Sequence, residues 1–310
     1  MSFSLNVKEE IAKSPNAGDC CVHAMAYGML LFAREFGSSG ISIMTDHQCV
    51  AEKYAELIKV TTGVEAVTKI SKAGKYTVSV NKTDIPRVLS EFSVSKNEAF
   101  SRINRGNLAN ESGGDGESFN CCNYAFFKGA FLSCGTISDP NKSYHLEFVA
   151  PHRMLSLDIL KMLTETGLKA KHMIRRYVNV IYIKDSESIE DLLNIMGATI
   201  SAFDIMNIKI YKNIRNVSNR RTNFDDANTT RTAAAACEQL DAIRKLKESG
   251  SFELLDIELR EIAEAREENP DSSLRELGEM FSPALTRSAV NHRLKKIVDA
   301  ANALNKENNS

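Results

Sequence analysis

The 310-residue chain is 43% hydrophobic and 25% charged, with 39 basic against 40 acidic side chains. That length exceeds one ordinary core, so two or three domains are expected. A net charge of −1 excludes a globally basic nucleic-acid binder and leaves any such surface local to a segment.

In chain order, residues 2–14 read as a short helix ended by Ser14-Pro15. An apolar helix opening on Cys20-Cys21 is expected to run to about Phe36, before the breaking run Gly37-Ser38-Ser39-Gly40. A strand at 41–44, a helix at 50–60 ended near Gly63, and a hairpin at 64–70 and 75–80 around Ala73-Gly74 follow. A helix at 83–92 carries Pro86 in its first turn, where proline is tolerated. Residues 93–120 read as a connector whose Gly- and Ser-rich half, 110–120, is the most flexible loop expected in the chain. A second apolar helix opens on Cys121-Cys122 and ends at Gly135. A strand at 144–150, a helix at 154–163 stopped near Gly167, two β-rich runs at 169–174 and 177–184 separated by Arg175-Arg176, and a helix at 189–196 ending at Gly197 complete the same order. The repeat indicates a pseudo-symmetric α+β unit.

The axis of this repeat is the pair of Cys-Cys helices. They align without a gap, Cys20 and Cys21 on Cys121 and Cys122, and Gly28 on Gly129. A glycine inside a helix costs about 1 kcal/mol relative to alanine, and it persists where another backbone comes close. Two helices packed through Gly28 and Gly129 supply that reason. The four cysteines raise the question of a zinc site. Adjacent cysteines on one helix point in different directions, and structural sites use a wider spacing, so these residues read as small half-buried apolar groups. His23 and His145 read as packing or surface residues. Seven cysteines, no ~20-residue apolar run, and Lys8, Glu9 and Glu10 in place of an apolar leader core suit a reduced cytoplasmic protein without membrane insertion.

Residues 198–248 turn polar and helical, with a strong helix from 233–236 to about Glu248 and a stop at Gly250. From 209 to 221 the window holds Lys209, Lys212, Arg215, Arg220 and Arg221 and no acid. It is either a solvated helix face or a functional stretch, acting as a second phosphate-contacting surface or as a lever that sets the angle of the terminal domain. The last segment, 252–305, reads as three helices: 254–266, 273–281 opened by a capping box of Ser273 and Glu276, and 286 to about 304. Ser282-Pro283 forms the turn between the last two. These two helices fit a helix-turn-helix; the alternative is an ordinary three-helix bundle with a cationic third helix. Val290, Leu294, Ile297 and Val298 recur at core spacing. Arg287, Ser288, Asn291, His292 and Lys295 fall on a neighbouring arc that mixes phosphate-seeking cations with side chains able to bond base edges. Residues 287–296 hold four cations and no acid, whereas 253–279 hold ten acids against three arginines. One helix of an acidic unit is therefore basic.

The Cys-Cys helices resemble the LAGLIDADG helices of homing endonucleases, in which each helix ends in an acid that holds a catalytic metal. Aligned on the glycines, 26–34 and 127–135 put Ala33 and Cys134 at those acidic positions. Neither can bind a divalent cation as a carboxylate does. The opening MSFSLNVKEEI, then GAFLSCGTISDPNKSYHLEF, RNVSNRRTNFDDANTTRTAAAACEQL and SLRELGEMFSPALTRSAVNHRLKKI, resemble the WhiA family essentially end to end.

What the resemblance implies is an α+β fold with a pseudo-symmetric two-repeat LAGLIDADG-like domain followed by an all-α helix-turn-helix domain. The expected divisions are 1–92 and 121–200 for the repeats, 93–120 for the connector, 201–250 for a basic linker and 251–310 for the DNA-binding domain. It also implies a non-enzymatic, nucleoid-associated DNA-binding protein of bacterial cell division, chromosome segregation or sporulation-linked transcription. The implied partners are double-stranded DNA and a transcription-machinery or cell-division protein, and no cofactor or small-molecule ligand is expected. The expected DNA contacts are Ser273, Leu274, Arg275, Thr286, Arg287, Ser288, Asn291, His292, Arg293, Lys295 and Lys296. Lys209, Lys212, Arg215, Arg220 and Arg221 are the secondary phosphate contacts. Two alternatives stay open: a residual metal-dependent nuclease using acids such as Glu35 or Asp139, and a protein-binding adaptor built on the repeat domain.

Overall fold

A computed structural model describes residues 2–94, 102–108 and 121–307, and these fall into two units, Met1–Lys212 and Asn213–Ser310. The connector's Gly- and Ser-rich stretch lies outside the described residues.

The first unit begins with α1 (Phe3–Lys13), whose N-cap Ser2 accepts the Leu5 N–H at 3.3 Å. The first repeat then runs α2 (Asp19–Leu31), β1 (Glu35–Gly37), β2 (Gly40–Thr45), α3 (Gln48–Thr62), β3 (Val67–Ile70), β4 (Tyr76–Ser79) and α4 (Ile85–Glu91). The second repeats it: α5 (Cys121–Cys134), β5 (Gly135–Ile137), β6 (Leu146–Ala150), α6 (Arg153–Glu165), β7 (Lys171–Arg175), β8 (Val178–Ile183) and α7 (Ser186–Ile195). Each repeat contributes a four-stranded antiparallel sheet, ordered β1-β2-β4-β3 and β5-β6-β8-β7.

Three local expectations change. Helix α2 stops at Leu31, and residues 35–37 leave it to form an edge strand, Phe36 pairing with Ile41. The turn of the second hairpin is Arg176-Tyr177, both at positive φ (49° and 67°), the primed geometry that matches strand twist. Residues 199–248 form one 50-residue helix, α8 (Thr199–Glu248), about 75 Å long at 1.5 Å per residue. It contains no glycine or proline. Its start is fixed by Gly197 at φ 79° and by the Glu10 carboxylate, which accepts the Ile200 N–H at 2.6 Å and the Ser201 N–H at 3.0 Å. An anion there also suits the positive end of the helix. Gly250 at φ 73° ends it.

The core of the first unit is built around the α2–α5 crossing. A Cβ on Gly28 would meet the Phe126 carbonyl oxygen, and one on Gly129 would meet that of Met25. Tyr27, Met29, Phe126, Phe127 and Phe131 are buried on these helices, and Phe148 and Ile181 reach them from the second sheet. The cysteines are buried or half-buried at the helix starts, as their sequence pattern suggests, and the crossing adds a relationship between the pairs. Adjacent cysteines diverge on one helix, but two helices bring the pairs together, and the Sγ atoms of Cys20, Cys21, Cys121 and Cys122 all lie within 4.8 Å of one another.

In the second unit the end of α8 buries Ala242, Ile243 and Leu246 against Phe252 and the terminal helices. A 3₁₀ turn, Ser251–Leu254, separates it from α9 (Ile257–Glu268), so the expected helix at 254–266 starts three residues later, after Asp256. Then come α10 (Leu274–Glu279) and α11 (Arg287–Glu307). Their core is Ile262, Ala263, Leu277, Val290, Leu294, Ile297 and Ala301.

Candidate nucleic-acid interface

The capping box at α10 forms as its sequence dictates: the Glu276 N–H donates to Ser273 Oγ at 3.3 Å, and Ser273 N–H donates to the Glu276 carboxylate at 2.7 Å. The Ser273 N–H bond holds the Glu276 carboxyl below the usual range. The chain then turns tightly. Leu285 N–H donates to the Gly278 carbonyl at 2.9 Å, and the missing Gly278 side chain leaves room for the Leu285 carbonyl. Thr286 caps α11, its Oγ1 accepting the Ala289 N–H at 3.2 Å. A short helix, a tight turn and a long helix on one shared core make a helix-turn-helix geometry.

On α11 the sequence-selected residues separate by their surroundings. Arg287, Ser288, Asn291, His292, Lys295 and Lys296 are exposed. At 100° per residue the first five spread over roughly 140° beside the buried row Val290, Leu294 and Ile297. Arg293 lies across that row and pairs with Glu258 of α9 at 2.6 Å, with its side chain 21% exposed. Leu274 packs against the core, Ser273 is occupied as a cap, and exposed Arg275 pairs with Glu279 at 2.9 Å.

A groove of about 790 Å³ lies beside this surface within the second unit. Its lining includes Arg231, Arg266, Arg275 and Arg287 with Asn228, Ser273 and Asn291, and no acidic residue. Arg231 and Arg266 are not in the set selected from sequence. Arg231 sits in a plain polar stretch, and Arg266 is one of three arginines in an acidic run, so neither carries a local signal. Arg266 is 2% exposed and has no carboxylate partner among the described residues. It donates to the carbonyls of Ser272 at 2.7 Å and Pro270 at 3.3 Å, bracing the entry to α10. Burial lowers its pKa, yet a guanidinium of this kind stays charged.

The secondary basic stretch divides. Lys209 pairs with Glu187 at 3.3 Å and Glu190 at 3.7 Å. Lys212 donates to the Pro140 carbonyl at 2.6 Å and lies 4.7 Å from the centre of the Tyr144 ring. Arg215, Arg220 and Arg221 are exposed on α8.

At the other ends of the paired helices no carboxylate stands where LAGLIDADG enzymes hold metal. Ala33 is nearly buried, and burial pushes the Cys134 thiol up to about 12. Lys8 donates to the Leu132 carbonyl at 3.2 Å and places a cation at the C-terminal end of α5. Glu35 accepts the Ser42 hydroxyl at 3.1 Å, and Asp139 accepts the Asn141 N–H at 2.9 Å within its own turn. Among the described residues no cluster of three or more acids or histidines forms there.

The comparisons with known proteins agree with this architecture. Residues 123–215 match the WhiA LAGLIDADG-like domain, and residues 218–301 match the WhiA C-terminal HTH domain. A protein of Alkaliphilus metalliredigens named "Probable cell division protein WhiA" is 32% identical over 96% of both chains. One of the same name from Lachnoclostridium phytofermentans is 35% identical over 98% of this chain and 99% of its own. The crystal structure of a full-length WhiA protein from Thermotoga maritima superposes with a TM-score of 0.58, covering 98% of this chain and 99% of that one at 23% identity. Matched across nearly its whole length and in both of its domains, the chain belongs to the WhiA family.

Proposed function

We propose that the chain is a non-enzymatic, nucleoid-associated DNA-binding protein of cell division and chromosome segregation, or of sporulation-linked transcription, and that α10 and α11 read the duplex. The observation that carries this reading is the exposed arc Arg287, Ser288, Asn291, His292 and Lys295, on a helix held by a tight turn beside an arginine-lined groove free of acids. Asn291 and His292 offer groups for base edges, and the cations offer phosphate contacts. Exposed Arg231 and Arg275 extend the anion-attracting surface, and buried Arg266 braces the entry to α10. Ser273 and Leu274 position α10, and Arg293 braces α11.

Duplex binding is measured by fluorescence anisotropy across a salt series with the full chain and with Arg287→Ala combined with Lys295→Ala. Each lost phosphate contact is expected to flatten the log–log salt slope by about 0.9, so the pair flattens it by roughly 1.8 and weakens binding. Unchanged affinity and slope remove the assignment. Crosslinking to the chromosome then separates the roles, because a transcription regulator concentrates at promoters and a segregation protein spreads more widely.

A second reading, a protein-binding adaptor, is favoured by the tip of the second sheet. Met173, Ile174, Tyr177 and Val178 are exposed there, Tyr177 completely. Ile174→Ser with Tyr177→Ser should then abolish capture of a division or transcription partner and leave duplex affinity intact. The nuclease reading has the least support, because Glu35 and Asp139 serve local structure. Specific nicking of supercoiled DNA with Mg²⁺ or Mn²⁺ that is lost in Glu35→Gln would restore it.

A further inference from the structure

We propose that Cys20, Cys21, Cys121 and Cys122 form a structural zinc site that pins the N-terminal ends of α2 and α5 together. The four Sγ atoms lie within 4.8 Å of one another. Four bonds of about 2.3 Å to a tetrahedral ion place the sulfurs roughly 3.8 Å apart, so small side-chain adjustments close the site. The donor set is soft and all-sulfur, which selects zinc over the hard cations that LAGLIDADG carboxylates bind. Sulfurs that ligate different irons of a cluster stand farther apart than those around one ion, so this spacing fits a single metal. With four thiolates and no open position, the site is structural.

The surroundings favour the bound form. Both pairs sit in the first turn of their helices, where the helix dipole stabilises thiolate. Cys21 and Cys122 are buried, and Cys20 and Cys121 are half-buried. Binding is Zn²⁺ plus four thiols giving a zinc tetrathiolate of charge −2 and four protons. Lys128, buried on α5 and within electrostatic reach of Cys21, offsets part of that charge. The glycines at 28 and 129 let the two backbones touch, and the ion fixes where the crossing begins.

The test uses the full chain, reduced, incubated with Zn²⁺ and desalted under nitrogen, with metal and protein quantified by elemental analysis. One zinc per chain is expected. Co²⁺ in its place should give the intense visible bands and sulfur-to-metal charge transfer of a tetrahedral tetrathiolate. Cys20→Ser with Cys121→Ser should lose the ion, whereas Cys237→Ser, at an exposed thiol, should keep it. Removing the ion should lower the melting temperature of the first unit. A folded chain that retains no metal, with all seven thiols titrating as reduced once it is denatured, overturns the site. So does metal held equally by the Cys20/Cys121 variant, or a two-hydrogen mass loss showing a disulfide between the helices. If that variant does not fold, the Co²⁺ spectrum and the metal content of the unaltered chain decide the matter.

Discussion

Leu285 donates its backbone N–H to the Gly278 carbonyl at 2.9 Å, and its own carbonyl oxygen occupies the space where a Gly278 side chain would stand. The two residues set the angle at which α11 leaves α10. Alanine at 278 gains about 1 kcal/mol of helix propensity. It also drives a methyl group into a backbone carbonyl, with Val290 Cγ2 only 3.3 Å away. Overpacking of this kind costs about 1–3 kcal/mol, more where the obstacle is backbone, so the collision wins. Gly278→Ala is expected to lower the stability of the second unit and to weaken duplex binding while the first unit keeps its transition. A variant that melts and binds like the parent would show that the turn has slack.

The crossing of α2 and α5 obeys the same logic with no flexible side chain to yield. A Cβ on Gly129 would enter the Met25 carbonyl and come within 2.8 Å of the Met29 nitrogen. Gly129→Ala is expected to destabilise the first unit by at least about 1–3 kcal/mol. Chemical denaturation monitored on the first unit reads it directly. A neutral or stabilising result would refute the close approach.

Arg293 and Lys295 are two residues apart on α11 and should behave differently. Arg293 is largely buried against Glu258, and Lys295 is exposed. Arg293→Gln removes an ion pair whose acid is mostly solvated, a loss of about 0–1 kcal/mol in stability. It should leave the salt slope of duplex binding nearly unchanged. Lys295→Gln should do the reverse, with stability kept and the slope flattened by about 0.9. Equal slopes for the two variants would place Arg293 on the phosphates instead.

These residues also mark how far the sequence could be read. The paired glycines and the Ser273/Glu276 box carry their reason locally, through spacing and capping chemistry, and both form. Residues 32–37 continue a helical pattern, and the edge strand β1 exists because β2 offers it a partner, which no local window shows. The continuity of α8 follows from the lack of any Gly or Pro across fifty residues, a negative signal outweighed by the change in composition. In the sequence each cysteine pair shows only its own helix, and the convergence of the two pairs is a property of the crossing. Arg266 acquires its place in the groove from tertiary packing alone. Helix α11 is legible as a basic helix because the charge of its first turns contrasts with the acidic helices α9 and α10 before it.

The last prediction concerns acid. Burial alone would raise the Glu147 carboxyl, but hydrogen bonds from Arg175 and His145 outweigh it and hold the group below its usual range. Arg175 binds it with both terminal nitrogens, at 2.9 and 3.1 Å, joining β6 to β7 across the intervening β8. A carboxyl depressed in the folded state contributes stability that is present above its unfolded pKa and lost as pH falls through its folded value. Arg175→Ala removes the larger of the two hydrogen-bonding contributions and leaves the burial and the His145 bond, so the folded pKa rises and that contribution shrinks. The midpoint of acid unfolding, followed by far-UV circular dichroism of the full chain, should therefore move to higher pH. The loss of stability should be largest near neutrality, where the parent's contribution is complete, and should shrink as pH falls through the folded pKa of Glu147. Coincident acid midpoints for parent and variant would mean that the Arg175 bridge does not hold the second sheet together in acid.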